Sequence, residues 1–234
     1  RIDELETKIE SSEDILIITE GKTDWKYILK ALQYFQSKEK KEFESIKEEY
    51  FYKFGSQEDL TQKICGTIAA TDLSESQLKN YLIGLQNSRV IDRTEINKKR
   101  IGIFDSDTNI KTINNKDLGI GSFKITPDNI SMEFLFAEEE IKSEVSGKRL
   151  YIGTEFNNRT TWHTEDDLNL GKDLGNKAGK NTIIDTDVFN KQNDNVALPK
   201  DKFAQAIFNG DITISSDSWE KFRHIFEKIH DFLS

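Results

Sequence analysis

Two short stretches place acids where a strand that reads as buried comes to an end. In ILIITEGKTDW the apolar run from Ile15 to Thr19 gives way to Glu20-Gly21, and Asp24 follows. In IGIFDSDTN the run from Ile101 to Phe104 leads directly into Asp105 and Asp107. Ligands of open α/β sheets sit beyond the carboxyl ends of the strands. If these two strands are neighbours, four carboxylates share one edge, and their mutual repulsion calls for cations between them. An all-oxygen set of this kind suits Mg²⁺ or Mn²⁺. Gly21 suits a turn where the backbone passes close to a ligand. Plainer roles also fit each acid taken alone. Glu20 would favour the start of the following helix by ~0.3–1 kcal/mol, Asp24 would be its N-cap, and Asp105-Ser106-Asp107 would be a hydrogen-bonded turn.

The acids need a scaffold to bring them together. Trp25, Ile28, Leu29, Leu32 and Phe35 recur at helical spacing, so a helix is expected just after the first acidic turn. Residues 1 to 13 read as a charged helix, Ser37 to Glu49 as a charge-dense helical extension or excursion, and Tyr50 to Phe54 as a strand. Gln57 to Ala70 and Glu75 to Gln86 carry helical spacing, Gly121 to Ile125 reads as a strand, and Asn129 to Ile141 as a helix after Pro127. Strands alternating with helices predict an α/β fold with a mostly parallel sheet of about four strands. Beyond about Lys148 the texture changes to a polar insert over 151–197. Short strand-like pieces lie at Leu150 to Ile152 and Thr182 to Ile184, and terminal helices follow over about 199–233. The expected organisation is a first domain over 10–145 and a mixed α/β extension over 146–234.

Composition bounds the function. No apolar run approaches the roughly 20 residues that span a bilayer, and one cysteine, Cys65, cannot form an intrachain disulfide, so a cytoplasmic protein without membrane contact is expected. The net charge of −9 argues against wholesale electrostatic capture of nucleic acid, although bound cations reverse a local potential. The chain opens at Arg1 and its only methionine is Met132, as expected for a piece of something longer.

The order Glu20-Gly21-x-x-Asp24 after one strand, then Asp105-x-Asp107 after a later one, resembles the TOPRIM domain of topoisomerases, bacterial primases and OLD-type (overcoming lysogenization defect) nucleases. The resemblance covers Ile15 to about Ile141 and implies a TOPRIM, Rossmann-like sheet. The nuclease branch is the most similar. One cysteine cannot build a primase zinc module, and no tyrosine-bearing topoisomerase partner domain is evident. In that branch a glutamate near the start of the helix after the last strand joins the metal cluster, which points to Glu133 in SMEFLF. A lysine ahead of a Phe-Ala pair points to Lys200 or Lys202 in LPKDKFAQAI, with Lys200 favoured by spacing. The resemblance implies cleavage of DNA or RNA with two Mg²⁺ or Mn²⁺ ions, Glu20 and Asp24 holding one, Asp105, Asp107 and Glu133 the other. Lys200 would neutralise charge on the phosphate. It also implies a setting in anti-phage defence and an ATPase supplied by a partner chain or a missing domain, since this chain has no ATP site of its own.

Alternatives remain. FDSDTN is also similar to the Asp-x-Asp of haloacid-dehalogenase phosphatases, although Asn109 stands where that family has Thr or Val. A catalytically silent TOPRIM binding or regulatory module is the reading from another class. GNKAGKNT has three residues between its glycines rather than four and no helix-forming run after it, which excludes a phosphate-binding loop. His224 and His230, six residues apart, do not share a helix face at the i, i+4 spacing of a metal pair. His163 reads as a surface histidine.

Overall fold

The computed structural model describes residues 15–37, 39–54, 75–93, 96–107, 109 and 111–234. The expected helices over 1–13 and Gln57 to Ala70 lie outside the described residues. Contacts divide the chain into two units, Arg1–Asn129 with Phe222–Ser234, and Ile130–Lys221.

The first unit is built on a four-stranded sheet. β1 (Ile15–Thr19), β2 (Lys99–Phe104), β3 (Asn114–Asn115) and β4 (Ile120–Lys124) lie in the order β1-β2-β4-β3. β1 runs parallel to β2 and β2 parallel to β4, while the short edge strand β3 is antiparallel to β4. Parallel neighbours need a long crossover rather than a hairpin. Helices α1 (Asp24–Phe35) and α2 (Glu75–Ile91) occur within the one between β1 and β2. A strand covered on both faces is apolar throughout rather than alternating, and β2 is buried from Arg100 to Phe104. At Gly102 an added Cβ would lie 2.6 Å from Leu82 Cδ1, so this strand position is small because α2 sits against it. The core gathers Ile17, Ile18, Tyr27, Leu32, Phe35, Ile101 and Ile103. Helix α6 (Arg223–Leu233) completes it, with Ile225, Phe226 and Ile229 fully buried and the Phe226 ring 5.5 Å from that of Phe35.

The second unit has little regular structure. Two-residue strands β5 (Tyr151–Ile152) and β7 (Ile183–Ile184) pair antiparallel, as do β6 (Asn169–Leu170) and β8 (Val188–Phe189). Tyr151, Phe156, Leu170, Ile184, Val188 and Ala197 form its core. Around it lie α3 (Glu138–Ile141), α4 (Lys200–Asn209) and α5 (Ser216–Glu220).

Two expected elements differ, and the others take a definite form. Tyr50 to Phe54 is not a strand: Phe51 makes a single parallel bridge to Ile17, and Tyr52 N–H donates to the Ile17 carbonyl at 2.8 Å, covering the outer edge of β1. Of the two readings of Ser37 to Glu49, the excursion is the one found: the Gln36 amide donates to the carbonyls of Phe43 (2.9 Å) and Ile46 (2.7 Å) and turns the chain back. Asn129 to Ile141 is broken into a 3₁₀ turn (Met132–Leu135) and α3, with Phe136 and Ala137 extended between them. The Phe136 ring is held edge-on by Phe203 and Trp219, and Glu140 caps the Ala137 N–H at 2.8 Å. The terminal helices expected over about 199–233 are α4, α5 and α6, with a break before Arg223. Within these units α6 buries its apolar face in the first, and Phe136 packs in the second.

Phe226 is fully buried against Phe35 and Phe43 (5.5 and 5.6 Å between centroids). Phe226→Ala is expected to destabilise the protein by about 3–5 kcal/mol in urea denaturation. Val90→Ala, on an exposed position of α2, should change stability by no more than about 0.5 kcal/mol.

Candidate functional site

The parallel register pairs Thr19 with Ile103, which brings the carboxyl ends of β1 and β2 level. The ladder continues one residue further, where Glu20 N–H donates to the Ile103 carbonyl at 2.9 Å. The Glu20 side chain crosses to the neighbouring strand end, and its Oε2 accepts the Asp105 backbone N–H at 3.2 Å. Glu20 and Asp105, 85 residues apart in sequence, are thus in direct contact.

Gly21 and Asp24 form the adjoining turn. The Asp24 N–H donates to the Gly21 carbonyl (3.2 Å) and the Gly21 N–H to Asp24 Oδ2 (3.0 Å). A Cβ on Gly21 would lie 2.4 Å from Asp24 Oδ2 and 2.6 Å from Oδ1, so only glycine leaves room for this carboxylate. Thr19 Oγ1 donates to the same Gly21 carbonyl at 2.8 Å, tying strand end to turn. Asp24 opens α1 and is buried, an unusual location for a carboxylate. On the other strand Asp105 is half-buried, Asp107 is exposed, and Ser106 between them is buried with its hydroxyl donating to the Pro127 carbonyl at 2.6 Å.

The structure therefore places Glu20, Asp24 and Asp105 at one edge of the sheet. Among the described residues, however, no three carboxylate, histidine or cysteine side chains gather in an arrangement that would hold a metal ion. Glu20 and Asp24 each accept a backbone N–H. The donor chemistry at this edge, all carboxylate oxygen, is of the type that suits a hard divalent cation.

Glu133 and Lys200 belong to the second unit, where they meet. Lys200 Nζ lies 3.0 Å from Glu133 Oε2, with the carboxylate 2% exposed and the lysine side chain 35% exposed. Lys202 is 68% exposed and lies 4.0 Å from its neighbour Asp201. Of the two lysines left open by the sequence, Lys200 is the one paired with the buried acid.

The second unit also holds a polar cluster that the sequence reading missed. Arg149 grips Glu155 with both Nη atoms, at 3.2 Å to Oε1 and 2.7 Å to Oε2. Ile152 N–H donates to Oε1 at 2.6 Å, and His163 Nε2 lies 3.1 Å from Oε2. His163 Nδ1 accepts the N–H groups of Glu165 (3.2 Å) and Asp166 (3.0 Å), which assigns the ring proton to Nε2 as donor to Glu155. His163 is buried, not a surface residue as its lone occurrence beside acids suggested. Burial pushes the Glu155 carboxyl up, but the hydrogen bonds from Arg149, Ile152 and His163 outweigh it and hold the group below the ordinary range. Glu140 behaves alike: burial is outweighed by the Ser218 hydroxyl and the N–H groups of Ser215 and Ala137.

Elsewhere, GNKAGKNT (residues 175–182) leads directly into β7 (Ile183–Ile184), so no helix N-terminus follows it to receive a phosphate. Among the described residues no helix is long and apolar enough to cross a membrane. Compared with known proteins, the chain matches no protein-family model, no curated protein and no solved structure. Its function has to be argued from its own residues.

Two outcomes follow. Lys200→Met leaves the buried Glu133 carboxylate without its lysine and should cost about 1–3 kcal/mol in urea denaturation, while Lys202→Met costs no more than about 0.5 kcal/mol. The depressed carboxyls Glu140 and Glu155 contribute stability that is fully present above the ordinary glutamate value of 4.5 and lost as pH falls through their lower folded values. Acid titration followed by near-ultraviolet circular dichroism should show this loss, and Glu155→Gln should be less stable at neutral pH but lose less on acidification.

Proposed function

We propose that the chain is a divalent-metal-dependent nuclease of the TOPRIM type, cleaving phosphodiester bonds of DNA or RNA at the acidic edge of its parallel sheet. The observation that carries this reading is the contact of Glu20 with the Asp105 backbone beside the Gly21–Asp24 turn. Two distant segments with TOPRIM-like spacing meet at adjacent parallel strand ends, where α/β sheets bind ligands. Glu20, Asp24, Asp105 and Asp107 would hold Mg²⁺ or Mn²⁺, with two ions expected. Such ions supply a water nucleophile at neutral pH and stabilise the leaving oxygen. The work of the chain's own residues is to fix the acids: the β1–β2 ladder sets Glu20 against Asp105, and Gly21 leaves room for Asp24. Glu133 and Lys200 enter the proposal through the resemblance, as a metal ligand and a phosphate-neutralising lysine, and so do the setting in anti-phage defence and the ATPase partner.

The engagement of Glu20 and Asp24 with backbone N–H groups favours a second reading, a TOPRIM-like binding module without turnover.

Incubation with plasmid, linear DNA and tRNA in Mg²⁺ or Mn²⁺ separates the two. Cleavage should fall about 100-fold or more in Glu20→Ala and in Asp105→Asn. Cleavage that survives both substitutions would remove the site from the reaction, and nucleic-acid binding without cleavage under either metal would favour the binding module.

A further inference from the structure

The second unit exposes an aromatic ring that its own packing does not need. The chain from Phe156 to Asn169 doubles back in antiparallel bridges, Phe156 with His163 and Trp162 with Asn169. Asn157 N–H donates to the Trp162 carbonyl (2.8 Å), and His163 N–H donates to that of Leu168 (2.9 Å). Consecutive residues of an extended chain face opposite sides. His163 is turned inward, hydrogen-bonded to Glu155 and edge-on to Phe156 at 5.2 Å. Trp162 is thereby turned outward, and the indole is 50% exposed. The buried Arg149–Glu155–His163 cluster thus anchors the strand that presents it.

Trp162 borders a cleft of about 510 Å³ floored by Leu170, Gly171 and Phe189. Asn169 and Asn193 bring amide groups to the same cleft. Its charges are unequal: Asp167 is neutralised by Lys191 at 2.5 Å, whereas Lys172 is exposed and makes no ion pair among the described residues. An exposed indole face, an uncompensated cation and neutral amides answer the three parts of an unpaired nucleotide: the base plane, the phosphate and the base edge. A neutral sugar would also stack on the indole but has no use for Lys172, and a duplex keeps its base faces to itself.

We infer that Trp162 and Lys172 form a stacking platform for unpaired nucleotides, so that the nucleic acid this protein takes is single-stranded or carries a single-stranded flank. The inference deepens the nucleic-acid reading above and rests on it, but it uses none of the strand-end acids.

The test is fluorescence anisotropy of labelled oligo(dT) and oligo(U), with oligo(dA)·oligo(dT) duplex as comparison, in EDTA so that no cleavage occurs. Trp162→Ala should weaken single-strand binding about 5- to 100-fold, Trp162→Phe should retain most of it, and Lys172→Ala should weaken it and flatten its salt dependence. Unchanged thermal unfolding of these exposed-site variants checks that they are folded. Single-strand binding by Trp162→Ala equal to wild type, equal preference for duplex, or displacement of the oligonucleotide by a neutral oligosaccharide would each overturn the inference. Glu20→Ala run alongside keeps the two readings apart. Intact binding with lost cleavage in Glu20→Ala supports the metal site whatever Trp162 does. Lost binding in Trp162→Ala with full cleavage by Glu20→Ala supports the platform and removes the metal site.

Discussion

The side-by-side parallel pairing of β1 and β2 is the constraint on which the first unit's chemistry depends. Because Thr19 stands opposite Ile103, the next residue on each strand emerges at the same edge, and Glu20 is held there by its own N–H on the Ile103 carbonyl. A slip of one residue would exchange the two buried faces of β1, misplace Ile17 and Ile18 in the core and carry Glu20 away from the Asp105 N–H. The apolar residues that make β1 and β2 core strands therefore also fix where their acids end up. Stability and site placement are consequences of one register.

Two acids at that edge accept backbone N–H groups. Glu20 accepts the N–H of Asp105, and Asp24 accepts that of Gly21. Each such N–H offsets part of the carboxylate charge and ties the side chain to the turn or strand end that carries it. The second unit handles buried acids differently. Glu133 is met by Lys200, and Glu155 by a bidentate arginine and a histidine. These are closed pairings that rigidify their surroundings, and the Glu155 cluster passes its rigidity to the strand carrying Trp162.

The first unit was legible because its signals are local and strong. The apolar runs at Ile15 and Ile101, the helical spacing from Trp25 to Phe35 and the acids after each strand all predict where the described residues lie. The relation of Glu20 to Asp105 needed only that the strands be neighbours. The misreadings have long-range causes. Phe136 looks helical in sequence, yet it is drawn out of the helix by Phe203 and Trp219, more than sixty residues away. The run from Ser37 to Glu49 leaves extension and excursion open in sequence, and the Gln36 amide selects the excursion by closing the helix end. In the polar insert, two-residue strands carry no periodicity, and His163 gives no sign of burial until Arg149 and Glu155 are known to face it. The strand-like pieces at Leu150 to Ile152 and Thr182 to Ile184 were the readable signals there, and β5 and β7 fall within them.

The claim that the strand-end carboxylates form a cation site is tested most directly by anomalous diffraction from crystals equilibrated with Mn²⁺. The account predicts a peak ligated by oxygens of Glu20 and Asp105, with Glu20 drawn off the Asp105 N–H, and loss of that peak in Glu20→Gln. Saturating Mn²⁺ that leaves Glu20 on the Asp105 N–H and gives no peak at this edge would contradict it.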